Sequence, residues 1–234
     1  MLDRATEIIK EMSQQTKEII LMHSLSGKDS IALLELCYPY FERIVCVFMY
    51  TVPNLRHIMN YYAFARRRYP KAEFIQVPHY VLFNYRKNGF LGTQGNSNQR
   101  LWKFSDIIDK VREKTGIEWA CIGFKQSDSL NRRLMLRSYK DGKEAICYVG
   151  KKFYPLSTYK NNDIVEFIKA RHLKNPEWFD KGEQSSGVDI TDYHYLKYLE
   201  KNFPDDLQKI YDTYPASVLI IPNHEKDMKE KDNE

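Results

Sequence analysis

The feature that most constrains this chain is a short apolar run that stops at a polar turn and restarts as a helix. Ile19, Ile20, Leu21 and Met22, ending at His23, have the length and composition of a buried strand. The run gives way to Ser24-Leu25-Ser26-Gly27-Lys28-Asp29-Ser30, after which Ile31, Leu33, Leu34 and Leu36 recur at helical spacing. A strand, a polar turn and a helix together aim the free N–H groups of the helix start at whatever anion sits beside them.

The same alternation repeats along the chain. A helical pattern over 1–17 precedes the first strand, and Arg43 to Met49 reads as a second buried strand rich in β-branched and aromatic residues. Pro53-Asn54 opens a helix expected to run to about Tyr69. Glu73 to Val77 is a third strand, and Ser105 to Thr115 a helix with Ser105 as N-cap and Gly116 as stop. Trp119 to Gly123 is a fourth strand. This order predicts an α/β fold, a Rossmann-like and mostly parallel sheet with helices on both faces, plus a C-terminal helical extension. The expected division is a nucleotide-binding domain over 1–172, a helical extension over 173–222 and a disordered charged tail over 223–234. Within the first unit, 84–104 reads as a loop insertion, and 137–154 as a hairpin turned at Asp141-Gly142. In the second, 173–187 reads as loop, and 191–202 with 204–214 as a helical hairpin.

Two familiar phosphate loops do not fit the turn. A Walker A loop needs glycine five places before its Gly-Lys and a hydroxyl residue after it; those places hold Met22 and Asp29. A dinucleotide fingerprint needs three glycines, and only Gly27 is present. What the turn does offer is Gly27 for close approach, hydroxyls at Ser24, Ser26 and Ser30, and a compact cation at Lys28. Asp29 would oppose a phosphate unless it caps the helix or helps hold Mg²⁺. Further along, Lys125, Arg132 and Arg133 follow a strand running like the first, so they belong to the same sheet edge; a solvated basic helix end is the plainer alternative. Thr51 ends the second strand, where capping a helix explains it as well as a ligand does. His23 reads as structural.

The turn Ser24–Ser30 resembles the PP-loop of the N-type ATP pyrophosphatases, an adenine nucleotide alpha hydrolase-like superfamily, and within it the phosphoadenosine phosphosulfate (PAPS) reductase family. Gly123-x-Lys125-x-x-Asp128-Ser129-x-x-Arg132 is similar to that family's Gly-x-Arg segment, with Lys125 in place of arginine. Tyr154-Pro-Leu followed by Asp163-Ile-Val resembles its Pro-Leu segment, with Tyr159 where tryptophan is usual. The likeness spans roughly 15–172. It implies ATP and Mg²⁺ as ligands, with Lys28, Lys125 and Arg132 catalytic. Ser24, Ser26, Gly27, Lys28, Asp29, Ser30, Thr51, Gly123, Ser129 and Arg133 would then hold nucleotide, and Asp29 the metal.

The cysteines set a limit on that resemblance. Reductases of this family resemble one another in a reactive cysteine near the C-terminus, whereas Cys37, Cys46, Cys121 and Cys147 are the four here, with no C-x-x-C pair. The expected activity is therefore the ATP half of the chemistry, adenylylation of an acceptor with release of pyrophosphate, rather than thiol-dependent reduction. Three acceptor classes stay open: a sulfate-like anion, a carboxylate or a nucleobase. A nucleic-acid modification enzyme is one alternative, since Arg66-Arg67-Arg68 and Arg86, Lys87, Arg100, Trp102 and Lys103 can track a phosphate backbone; Arg66–Arg68 read more simply as an exposed helix end. A binding subunit for ATP or a sulfonucleotide, with a protein partner and no turnover, is the other. The net charge of +5 suits a polyanionic ligand without specifying one. No apolar run is long enough to span a bilayer, which predicts a cytoplasmic protein without membrane attachment.

Overall fold

A computed structural model describes residues 2–24, 27–174 and 189–231. Six strands make one sheet in the order β3-β2-β1-β4-β6-β5, with β1 Glu18–Met22, β2 Arg43–Tyr50, β3 Ala72–Pro78, β4 Ala120–Ile122, β5 Ile146–Cys147 and β6 Lys152–Phe153. All neighbours are parallel except β5 and β6. The expected α/β architecture is therefore the one found. Alternation along β1 splits its apolar residues between two cores: Ile19 and Leu21 face one side of the sheet, Ile20 and Met22 the other. A parallel strand with both faces covered reads as an unbroken apolar run for this reason.

The helices cover the two faces unequally. Helices α1 (Asp3–Gln15), α2 (Lys28–Cys37), α3 (Arg56–Arg68) and α7 (Asn161–Ala170) contribute to the core containing Leu21. Helices α5 (Phe104–Thr115) and α6 (Leu130–Ser138) cover the Ile20 side through Ile108, Val111 and Leu136. Helix α4 (Val81–Asn88) and an irregular stretch to Lys103 fill the region expected to be loop insertion.

Several boundaries differ from the sequence reading. Helix α3 starts at Arg56 rather than Pro53, and α5 at Phe104, with Lys103 rather than Ser105 at its N-cap position; Gly116, left-handed at φ 75°, ends α5 as expected. The hairpin expected over 137–154 is a correction: Arg137 and Ser138 end α6, and a shorter hairpin, β5 with β6, turns through 148–151 instead of Asp141-Gly142. Lys143 and Glu144, both at positive φ, instead shape the link from α6 into β5. Most of the expected loop 173–187 lies outside the described residues. Helices α8 (Tyr193–Asn202) and α9 (Pro204–Thr213) form the helical hairpin. The tail expected to be disordered from 223 is a correction: Ile220–Lys231 is helical (α10), stacking His224 on Tyr193 of α8 and pairing Glu225 with Lys197. Composition suggested disorder, but these contacts supply partners that a local reading could not foresee.

The extension is fastened to the sheet by a buried carboxylate. Leu55, at the N-cap position of α3, has no side chain able to cap. Asp206 of α9 takes that role across the fold, accepting the Arg56 and His57 N–H groups at 2.6 and 3.0 Å. Its Oδ2 also accepts from His57 Nδ1 at 2.8 Å, which leaves Nε2 to accept from the Tyr195 hydroxyl at 3.1 Å. Burial alone would push the Asp206 carboxyl up, but those donors outweigh it and hold the pKa below the ordinary carboxylate value.

Asp206→Asn is therefore expected to destabilise the fold by about 2–4 kcal/mol at neutral pH, measured by urea denaturation. Because the folded carboxyl has the lower pKa, its contribution is complete above the unfolded value near ~3.9 and fades as pH falls through the folded one. The gap between wild type and variant should accordingly narrow below about pH 4; a gap constant with pH would contradict this assignment.

Candidate active site

The carboxyl ends of β1, β2 and β4 open into a cleft of about 790 Å³. It lies where the strand order turns back on either side of β1, the usual place for a ligand in an open α/β sheet. Helix α2 begins at its wall, so Lys28, Asp29 and Ser30 are presented by the first turn of a helix whose free N–H groups favour anions. Ser24, Gly27, Lys28, Asp29, Ser30, Thr51, Gly123 and Arg132 all line this space, so most of the residues singled out from sequence meet there. Ser26 lies outside the described residues.

The remaining three occupy other positions. Lys125 is 1% exposed and sits beneath the cleft, its Nζ 2.7 Å from Asp29 Oδ2 and 3.0 Å from Asp128 Oδ1. A buried ammonium between two carboxylates is a fixed structural charge, and Lys125 itself does not line the cleft. Ser129 caps α6, accepting from the Arg132 N–H at 3.2 Å. Arg133 is exposed and donates to the Gln126 carbonyl. Ser30 also differs in role: its hydroxyl donates to the Ser24 and Gly27 carbonyls and so braces the loop from within.

Two polar atoms at the cleft lack protein partners. Thr51 Oγ1 and Asp29 Oδ1 are buried with no hydrogen bond. Leaving such atoms unpaired costs about 1–3 kcal/mol each, which makes them natural contacts for something that enters. On the opposite wall Arg132 pairs with Asp128 Oδ2 at 2.8 Å and lies 4.0 Å above the Phe124 ring. Asp128 is shielded, which would raise its pKa, but the Lys125 backbone and ammonium and the Arg132 guanidinium draw it below the usual range. It stays ionised and orients both cations. Gly123 permits this closeness: a Cβ there would come within 3.2 Å of the Asp29 Cβ.

His23 is not part of this machinery. It is buried among Tyr61 and Phe74, and burial lowers its pKa to about 4, so it is neutral at physiological pH. Sequence reasoning missed the far wall, where His79, Tyr80, Phe104, Asn161 and Asp189 line the cleft. The apolar Phe124, between Gly123 and Lys125 of a motif already noted, was within reach; Asn161 and Asp189 carry no local signal.

The two lysines should respond differently to removal. Lys125→Met is expected to cost about 3–5 kcal/mol in chemical denaturation, because it removes the buried cation that Asp29 and Asp128 share, and to raise the pH at which Asp128 titrates by NMR. Lys28→Ala, at the open mouth, should change stability by no more than about 0.5 kcal/mol. Equal effects would show that Lys125 is no more structural than Lys28.

No curated protein matches the chain. Among solved structures it is similar to the U34-tRNA thiolase NcsA from Methanococcus maripaludis with its [4Fe-4S] cluster, at 14% identity over 91% of this chain and 78% of that one, with a TM-score of 0.48. The model of the phosphoadenosine phosphosulfate reductase domain matches residues 19–212, from β1 to α9 and so through the whole cleft, and the chain belongs to that family.

Proposed function

We propose that the cleft binds ATP and that the chain adenylylates an acceptor, releasing pyrophosphate. The observation that carries this reading is the convergence, at one sheet edge, of the α2 N-terminus, Lys28, Arg132 and the unpartnered Thr51 hydroxyl. That set is rich in donors and cations and lacks a thiol. None of the four cysteines lines the cleft, and burial raises the pKa of Cys46 and Cys121, which keeps them as thiols. Membership in a family named for an enzyme supports turnover, while the site favours phosphate chemistry over thiol chemistry.

In the proposed reaction an acceptor oxygen attacks the α-phosphorus of ATP, the bond to the β-phosphate oxygen breaks, and pyrophosphate leaves with that electron pair. Lys28 and the α2 N–H groups would hold the phosphates, and Arg132 would face charge developing on the leaving group. These are positioning and electrostatic roles, which suffice for a transfer between phosphates. Asp128 pairs with the Arg132 guanidinium, which lies over the Phe124 ring.

Mg²⁺ fits the residues present. Among the described residues no group of three or more His, Cys, Asp or Glu could hold a metal alone, whereas Asp29 offers one unpartnered carboxylate oxygen. An ion carried in by phosphates and touched by one or two carboxylates is the ordinary mode for Mg²⁺. Bound there, it would neutralise charge on the departing pyrophosphate.

Incubation with labelled ATP and Mg²⁺ across sulfate, carboxylate and nucleic-acid acceptors should release pyrophosphate, and Lys28→Ala should weaken ATP binding by calorimetry at least about tenfold with the fold intact. Orthophosphate release, or ATP affinity indifferent to Lys28, would overturn this reading. ATP binding without any turnover would assign the chain a binding role.

A further inference from the structure

The charge of this chain is concentrated beside the cleft. Residues 74–105 contain Arg86, Lys87, Arg100 and Lys103 and no acidic residue, so four of the five net positive charges lie in this segment. None of the four is ion-paired among the described residues, and Arg86, Arg100 and Lys103 are exposed. The segment is nevertheless well braced. The Asn96 N–H donates to the Arg86 carbonyl at 2.7 Å and the Ala216 N–H to the Leu91 carbonyl at 2.8 Å. Tyr85 stacks on Phe90 at 3.7 Å with Tyr214 edge-on to both.

Along this basic segment a line of rings leads inward. Phe83 and Trp102 stack in parallel at 4.7 Å, only partly buried. Tyr80, one helical turn before Phe83 and therefore on the same side of α4, meets Phe104 at 6.2 Å. Phe104 in turn meets Phe124 at 5.6 Å, under the Arg132 guanidinium. The outer pair lies outside the cleft, and Tyr80, Phe104, Phe124 and Arg132 line it.

We propose that this ridge binds an unpaired RNA strand, whose bases stack along the rings while its phosphates meet the four cations, and that the strand points one nucleotide into the cleft. Aromatic platforms flanked by cations suit a single strand, because every base has a face to stack whereas a duplex hides its faces. RNA is favoured over DNA because its loops present unpaired bases permanently, while a DNA base must first be unstacked at a cost of a few kcal/mol. An acidic protein would satisfy the cations but leave the line of rings unused. The delivery of a nucleotide as acceptor rests on the cleft being the adenylylation site; the binding ridge does not.

The test is fluorescence anisotropy with a short labelled RNA oligonucleotide that cannot self-pair, titrated into the full chain over a range of salt. The same sequence as double-stranded DNA, an RNA duplex and polyglutamate serve as competitors. Single-stranded RNA should bind best, with affinity falling as salt rises by a slope of about 0.7 per phosphate contact. The exposed double variant Arg100→Ala/Lys103→Ala should weaken binding at least about tenfold and flatten the slope. Trp102→Ala should weaken it as well, and Trp102→Tyr should restore most of it. All three variants should keep wild-type ATP affinity, which also reports an intact fold. No binding at low salt, or variants without effect, would overturn the ridge. Double-stranded DNA bound as tightly as RNA would overturn the choice of RNA, and polyglutamate or the RNA duplex bound as tightly would overturn a single-strand site. Failure of the wild-type chain to bind RNA while it still releases pyrophosphate would sink the ridge alone, whereas RNA binding by a wild-type chain without that release would sink the proposed reaction alone.

Discussion

The geometry of the cleft depends on one buried ammonium. Lys125 reaches from the turn after β4 to Asp29 in the first turn of α2, and to Asp128 three residues further on. That contact ties together the two β–turn–α units on either side of the switch point, and the rest of the site follows from it. Asp29 is held with one oxygen spent and the other free at the cleft. Asp128, held ionised, positions Arg132, and Arg132 rests on Phe124. Removing water from three charges is costly, and the arrangement is stable because each has an opposite charge within hydrogen-bonding distance.

This network alters the meaning of the basic residues. A count of cations after β4 suggests three positive groups converging on phosphate. Lys125 is spent internally and Arg133 turns to a backbone carbonyl, so Arg132 is the one of the three lining the cleft. The resulting site is less positive than the motif implies. The chain's excess positive charge lies instead on the segment between β3 and α5, beside the mouth rather than at its floor.

The C-terminal extension shows a second long-range dependence. Helix α3 begins without a local cap, and Asp206, about 150 positions later, supplies one. Through Tyr214, whose hydroxyl donates to the Thr51 carbonyl at 3.2 Å, and through the Leu91–Ala216 contact, the same extension steadies both the end of β2 and the basic segment. The helices after α7 thus support two walls of the cleft while standing outside the sheet.

By itself the sequence determined the parallel sheet, because strands buried on both faces must be continuous apolar runs. It determined the polar turn between β1 and α2 as well, because Gly27, Lys28 and three serines lie consecutively or nearly so between Met22 and Ile31. These are local patterns with a period or a spacing, which can be read without knowing what lies opposite. It did not determine the hairpin turn at 148–151, the helix at Ile220–Lys231, the role of Lys125 or the far wall bearing Asn161 and Asp189. Each of these is settled by partners distant in the chain: a stacking ring, an opposing carboxylate, a neighbouring strand. Only the tertiary structure decided which charges face the cleft and which are spent holding it, because a charged side chain reads the same in sequence whether it points to open space or to an aspartate.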